Sequence, residues 1–170
     1  DVRLGVFQGN KYKDRVTINT LRYLDWLEKN NFNCTFFTTG DIAKNHPKLI
    51  DKIIKQGHEI ACHTTNHIPL DQQTPSSFKN DLVENIRLLR DAGAIEIKGF
   101  RAPVLSLVEK TKWAYDVLEE LDFTYSSSVL PAKNPLYGWK EFGVQPKNVN
   151  SKIVEIPISV LKCLRTPSAI

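Results

Sequence analysis

A chain of 170 residues fits one domain and buries about 70% of its unfolded surface on folding, enough for a real hydrophobic core. With 41% apolar and 25% charged residues, 8 Gly, 9 Pro and no low-complexity run, the composition excludes disordered, collagen-like and coiled-coil classes. No apolar run approaches the roughly 20 residues of a transmembrane helix. The Lys and Arg behind the net charge of +4 are scattered among Asp and Glu, so they form no stripe of the kind nucleic acid requires.

Cys34, Cys62 and Cys163 are odd in number and in no CxxC arrangement, which argues against a disulfide framework and a zinc ribbon. Residues 1–170 read as one domain. The chain opens on Asp1 without Met, inside what reads as structured sequence, so it is expected to be a piece of a longer protein, and its compartment is left unassigned.

In chain order, Val16, Leu21, Leu24 and Leu27 recur at helical spacing between Asp14 and Asn31, and Phe32 to Phe37 is short, aromatic and β-branched. Helix then strand is the expectation. Ile42, then Leu49, Ile50, Ile53 and Ile54, mark a second helical stretch, with Pro47 early in its main helix, Gly57 closing it, and a strand from His58 to His63. Thr74-Pro75 is a cap and first-turn pair for a helix through Phe78, Leu82, Ile86 and Leu89; after Gly93 comes a strand from Ile95 to Phe100. A fourth helix is expected to open at Ser106 and run through Trp113, Val117, Leu118 and Leu121. Strands follow at Phe123–Tyr125 and at Ile153–Ile156, and Pro131 to Asn150 reads as a long loop.

Alternating helices and strands imply parallel strands covered by helices, in a doubly wound sheet or a barrel. Both architectures place their chemistry at the carboxyl ends of the strands. The polar segments there are unusual: His63-Thr64-Thr65-Asn66-His67, Arg101-Ala102-Pro103 and Ser126-Ser127-Ser128. No strand is followed by a Walker or GxGxxG phosphate loop.

Four-residue spacing can aim the His63 and His67 imidazoles at one point, or the two can be a hydrogen-bonded pair in a loop. Their place past a strand favours metal binding, with a third ligand, a carboxylate, from another strand. Zinc is the first choice, because it lowers the pKa of a bound water from about 15.7 towards roughly 7. His46 and His58 read as surface or structural. Arg101 is either a surface cation or, beside a metal, the group that holds a carboxylate base through a bidentate contact. Pro103 either merely ends the strand or stiffens a turn in which a backbone N–H, such as that of Val104, can face a developing oxyanion.

Thr35-Phe36-Phe37, Gly57-His58-Glu59-Ile60, His63-Thr64-Thr65-Asn66-His67 and Gly99-Phe100-Arg101-Ala102-Pro103, in that order and at these separations, resemble the polysaccharide deacetylase family with its NodB homology domain. The resemblance covers nearly the whole chain. It implies an α/β fold, a distorted (β/α) barrel incomplete in this chain. It also implies a divalent metal, zinc first, on one Asp and two His, and hydrolysis of an N-acetyl or similar acyl group on an amino sugar of a poly- or oligosaccharide. Residue by residue, His63 and His67 match the metal histidines and Thr64 the hydroxyl residue that stiffens their loop. Arg101 matches the arginine tethering the base, and Pro103 and Val104 match the substrate-groove wall.

Three departures accompany it. Asp1 is the candidate metal Asp, with the base just upstream of it; an alternative alignment puts Phe7 and Gln8 where the acids belong and makes the domain catalytically dead. Ser126 stands where many members have an Asp supporting a catalytic histidine, so it is expected to act by hydrogen bonding. No histidine after His67 matches the general acid, which is expected beyond Ile170, leaving the chain inactive or very weak by itself. The alternative functions are a deformylase-like hydrolase acting on lipid-linked amino sugars and a non-catalytic carbohydrate-binding relative.

Overall fold

A computed structural model describes residues 15–160. The elements in order are α1 (Arg15–Lys29), β1 (Thr35–Thr38), α2 (Gly40–Asn45), α3 (Pro47–Lys55), β2 (Glu59–Cys62), α4 (Pro75–Asp91), β3 (Gly99–Phe100), α5 (Ala114–Glu120), β4 (Tyr125–Ser126), β5 (Lys147–Asn148) and β6 (Val154–Glu155). The six strands form one sheet in the order β1-β2-β3-β4-β6-β5, with β1, β2, β3, β4 and β6 parallel in sequence order and β5 antiparallel to β6. The strand-helix alternation read from the sequence therefore builds the parallel α/β sheet it implies.

Local chemistry sets most boundaries. Pro47 lacks the N–H that a continuing helix needs, so the second helical stretch breaks at His46 into α2 and α3. Gly57 and Gly93 follow α3 and α4 with φ of 78° and 106°, conformations in which a Cβ is strained. Thr74 and Ser77 form a reciprocal capping box at the start of α4: Thr74 Oγ1 accepts from the Ser77 N–H at 3.2 Å and Ser77 Oγ accepts from the Thr74 N–H at 2.9 Å.

Three expectations need correction. The strand anticipated over Ile95–Phe100 is paired only at Gly99 and Phe100, because its register with β2 is the single pair Cys62–Phe100; Ile95 is 89% exposed. Ser106 does not open a helix. Its buried hydroxyl donates to the Pro103 carbonyl at 2.7 Å and accepts from the Leu70 N–H at 3.0 Å, and α5 begins eight residues later at Ala114. The stretch 131–150 is not all loop, since Lys147–Asn148 add an edge strand to the sheet.

Two apolar clusters hold the layers together. One joins Leu24 and Leu27 of α1, Ile50 and Ile53 of α3, Ile60 of β2 and Leu89 of α4. The other is centred on Phe78, Phe100 and Phe123, packed edge to face at 5.5 and 6.2 Å between centroids, with Leu82, Leu107, Leu118 and Ile153 around them. Gly99 is needed for close approach: a Cβ there would stand 2.1 Å from the Tyr125 ring across the β3–β4 pair. These contacts fix the carboxyl ends of β2, β3 and β4 side by side.

Candidate metal centre and active site

The segment after β2 leaves regular structure at His63, whose N–H still reaches the Thr38 carbonyl at 3.2 Å. Thr64 and His67 then adopt φ of 64° and 55°. Left-handed backbone costs a non-glycine residue on the order of 1 kcal/mol or more, so such residues persist only where surroundings over-determine them. Thr64 Oγ1 supplies part of that constraint by accepting from the His67 N–H at 3.0 Å.

The bend turns both imidazoles to one point. His63 Nε2 and His67 Nε2 stand 3.1 Å apart, with ring planes at 72°. Nitrogens each about 2.0–2.1 Å from one zinc ion at a tetrahedral angle stand roughly 3.3 Å apart, so the observed separation fits a shared ion. His63 Nδ1–H donates to the Arg101 carbonyl at 2.7 Å, which selects the tautomer with a lone pair on Nε2. Burial pushes the His63 pKa down to about 4, with His67 and the Arg101 cation acting in the same direction against the Arg101 carbonyl. The ring is neutral at pH 7, the state a metal ligand requires. Among the described residues no third His, Cys, Asp or Glu completes a ligand set; Asp1, the ligand expected from the opening strand, lies outside the described residues, as do Phe7 and Gln8.

The next strand end brings Arg101 beside the pair. Its guanidinium lies 4.1 Å from the Phe37 ring centroid and donates to Ser127 twice, Nε to the carbonyl and Nη2 to Oγ, each at 2.7 Å. The base it was expected to tether lies outside the described residues. The structure instead shows what holds the fork itself in place. Burial lowers the Arg101 pKa, against the pull of Tyr125 and Glu155.

Pro103 is buried, and Val104 and Leu105 follow with φ of 48° and 58°. For a β-branched residue such as Val104 that is an outlier. Four of the six left-handed non-glycine residues described thus lie in the two loops around this centre; the other two, Asn31 and Asp122, follow α1 and α5. A cleft of about 420 Å³ opens beside the pair, with Phe37, Thr38, Thr39, His63 and Arg101 in its wall.

Ser126 does not face this centre. It is fully buried, with Oγ 2.8 Å from Ser128 Oγ, and Ser128 Oγ accepts from the Ala102 N–H at 2.9 Å. These contacts brace the Arg101-Ala102-Pro103 turn, with Ser126 on the core side of β4; the histidine it was expected to support lies outside the described residues. Tyr137 packs over the loop after His67, its hydroxyl donating to Asp71 at 2.8 Å, and Trp139 packs edge-on to Phe142 at 5.1 Å.

Several residues that hold the site were not singled out from the sequence. Asp81 Oδ2 accepts from the Thr65 N–H at 2.7 Å, and Oδ1 accepts from the Asn66 N–H at 3.2 Å and from its side-chain amide at 2.5 Å. Asn85 Oδ1 accepts from the His63 N–H at 3.2 Å and from the Cys62 thiol at 2.5 Å, while its amide donates to the Thr38 carbonyl at 3.3 Å. Burial raises the Cys62 pKa, keeping the thiol a donor. Glu155 is fully buried. Its Oε1 accepts from the Ser128 and Val129 N–H groups at 2.7 and 2.8 Å, and its Oε2 accepts from the Tyr115 hydroxyl at 3.2 Å. The available signal was polarity in apolar company: Asp81 and Asn85 lie on the Phe78-Leu82-Leu89 face of α4, and Glu155 sits two residues from buried Ile153.

The sequence profile of the polysaccharide deacetylase family matches residues 12–126. The chain is 28% identical over 97 residues, 56% of its length, to a bifunctional xylanase/deacetylase of Pseudobutyrivibrio xylanivorans, covering 16% of that protein. It is 29% identical over 96 residues, again 56% of its length, to a peptidoglycan-N-acetylglucosamine deacetylase of Bacillus cereus, covering 35% of it. The crystal structure of a polysaccharide deacetylase homologue from Mycobacterium smegmatis superposes with a TM-score of 0.67 at 28% identity, covering 82% of this chain and 45% of that one. The chain thus spans well under two thirds of the length of these relatives. A family match over more than half of the sequence, on a parallel α/β sheet with the two histidines converged at a strand end, establishes that this chain belongs to the polysaccharide deacetylase family.

Proposed function

We propose that this domain serves hydrolysis of the N-acetyl or similar acyl group of an amino sugar in a glycan, with a divalent cation, zinc first, held by His63, His67 and the carboxylate of Asp1. One observation carries the reading: the 3.1 Å convergence of the two Nε2 atoms, with His63 locked in the ligating tautomer by the Arg101 carbonyl. When bound, the ion supplies a water acidic enough to act as nucleophile near neutral pH and polarises the amide carbonyl. His63 is neutral near pH 7, since burial keeps its ring unprotonated until about pH 4. Ser127 fixes the Arg101 fork through two of its five N–H groups, so the fork can hold a carboxylate base at a fixed orientation. Pro103 and Val104 wall the substrate groove, and the Val104 N–H is assigned to the developing oxyanion.

His63→Ala and His67→Ala test the assignment. Each is expected to abolish retention of one equivalent of zinc by the purified protein. If both variants still titrate one zinc with unchanged affinity, the ligand assignment is wrong.

A further inference from the structure

The loop that presents the two histidines makes few hydrogen bonds to the sheet and many to one helix. The Thr65 and Asn66 N–H groups and the Asn66 side-chain amide all end on the Asp81 carboxylate, and the Thr65 hydroxyl donates to the Asp81 carbonyl at 3.0 Å. One turn further along α4, Asn85 takes the His63 N–H. Asp81 is only 9% exposed and Asn85 fully buried. Burying a carboxylate on the core face of a helix is costly unless its oxygens are saturated with donors, and here the donors come from between the two histidines. Two residues of this loop, Thr64 and His67, stand in left-handed backbone, so without an anchor the segment would relax toward conformations that separate the rings.

Building on the metal reading above, we infer that Asp81, with Asn85 beside it, is a positioning residue that sets the affinity of the His63/His67 pair for a divalent cation. Two physical effects act together. By holding Thr65 and Asn66, the carboxylate orders the loop before the ion arrives, so the ordering cost does not fall on the binding step. Its negative charge, directed at the backbone that carries both ligands, also stabilises a dication beyond them. Asp81→Asn separates this role from bulk. It keeps shape and volume, yet its NH2 group must face a backbone N–H, and the charge is gone.

The test is zinc affinity, measured by competition with a chromophoric chelator at a temperature where every variant is folded. Asp81→Asn and Asp81→Ala are expected to weaken binding 10- to 100-fold, the range seen when an outer partner of a metal ligand is lost. Leu27→Ala, which removes a buried side chain from the cluster around α1 and α3, is expected to leave affinity within about twofold of wild type. The visible spectrum of the Co2+-loaded protein gives a second readout, with altered band positions or intensities in Asp81→Asn and none in Leu27→Ala. If both Asp81 variants hold zinc within about threefold of wild type while His63→Ala has lost it, the metal centre stands and the role of Asp81 is refuted. Equal weakening by Leu27→Ala also refutes it, since Asp81 would then be merely structural. If wild type and His63→Ala bind alike, the metal reading falls and this inference with it. Should Asp81→Ala fail to fold, the isosteric Asp81→Asn decides.

Discussion

Glu155 offers the sharpest test of how this site is held. Its carboxylate is fully buried, accepting two consecutive backbone N–H groups at 2.7 and 2.8 Å through one oxygen and the Tyr115 hydroxyl through the other. Those N–H groups belong to Ser128 and Val129; Ser128 Oγ takes the Ala102 N–H, and Ser127 carries the Arg101 guanidinium. Burial and the Glu155 charge both raise the Tyr115 pKa, so the phenol remains a donor. Glu155→Ala strands two buried N–H groups and a hydroxyl. Each unsatisfied buried donor costs about 1–3 kcal/mol, and relief of the buried charge offsets part of the sum, leaving on the order of 3 kcal/mol. In a chain of this size that lowers the melting temperature by about 6–12 °C. Glu155→Gln retains a carbonyl oxygen for both N–H groups and turns its NH2 to the Tyr115 oxygen, so it is expected to cost about 1 kcal/mol. Urea titration of wild type and both variants checks the ordering. Equal losses in Gln and Ala, or a loss under about 1 kcal/mol in Ala, would show that the carboxylate does not organise the serine segment.

Further outcomes follow from the same geometry. Val104→Gly relieves a left-handed β-branched residue that is 41% exposed, so strain relief balances the added chain entropy and stability is expected to stay within about 1 kcal/mol of wild type; a larger loss on thermal melting would contradict the strain assignment. Gly99→Ala forces a Cβ into the Tyr125 ring and is expected to cost about 2–3 kcal/mol in urea; replacing Tyr125 by a small residue in the same chain should recover most of it. Metal-free protein should lose stability in acid in a way His63→Ala does not. The folded His63 pKa of about 4 lies below the ordinary 6.5, so the unfolded chain binds the extra proton between those values and stability rises with pH across that window, by up to about 3 kcal/mol. Urea midpoints of the chelator-treated proteins at pH 4.5 and 7 would expose a parallel response, which would rule out His63 as the source. Arg101→Lys loses the planar fork over Phe37 and one of the two Ser127 bonds; on the proposed reading, zinc affinity is expected to persist while acetate release by the whole protein falls at least about tenfold, and full activity in that variant would remove Arg101 from the machinery.

Much of this arrangement was legible in the residues alone, and the reason is local. Pro47, Gly57, Gly93 and the Thr74-Pro75 cap act through their own φ angles and missing or satisfied N–H groups, so the helices bounded by them lie where the punctuation puts them. The order of the parallel strands follows from the same alternation, and the histidine pair and Arg101 could be singled out as candidates because parallel α/β folds expose their strand ends. Pairing lengths were not legible. Ile95–Lys98 has strand-like sequence but meets the sheet only through the Lys98 carbonyl, and Lys147–Asn148 joins the sheet only because β6 presents an edge to it. The support of the site lay deeper still. Asp81, Asn85 and Glu155 reach their partners across 15 to 47 residues of chain, and no spacing rule connects them. Sequence by itself determined which groups could do chemistry, because residue type and strand-end position are one-dimensional properties. Only the tertiary structure decided that two imidazole Nε2 atoms meet 3.1 Å apart and that buried carboxylates hold the loops carrying them, because hydrogen-bond saturation of a buried charge exists only once distant segments have been brought together.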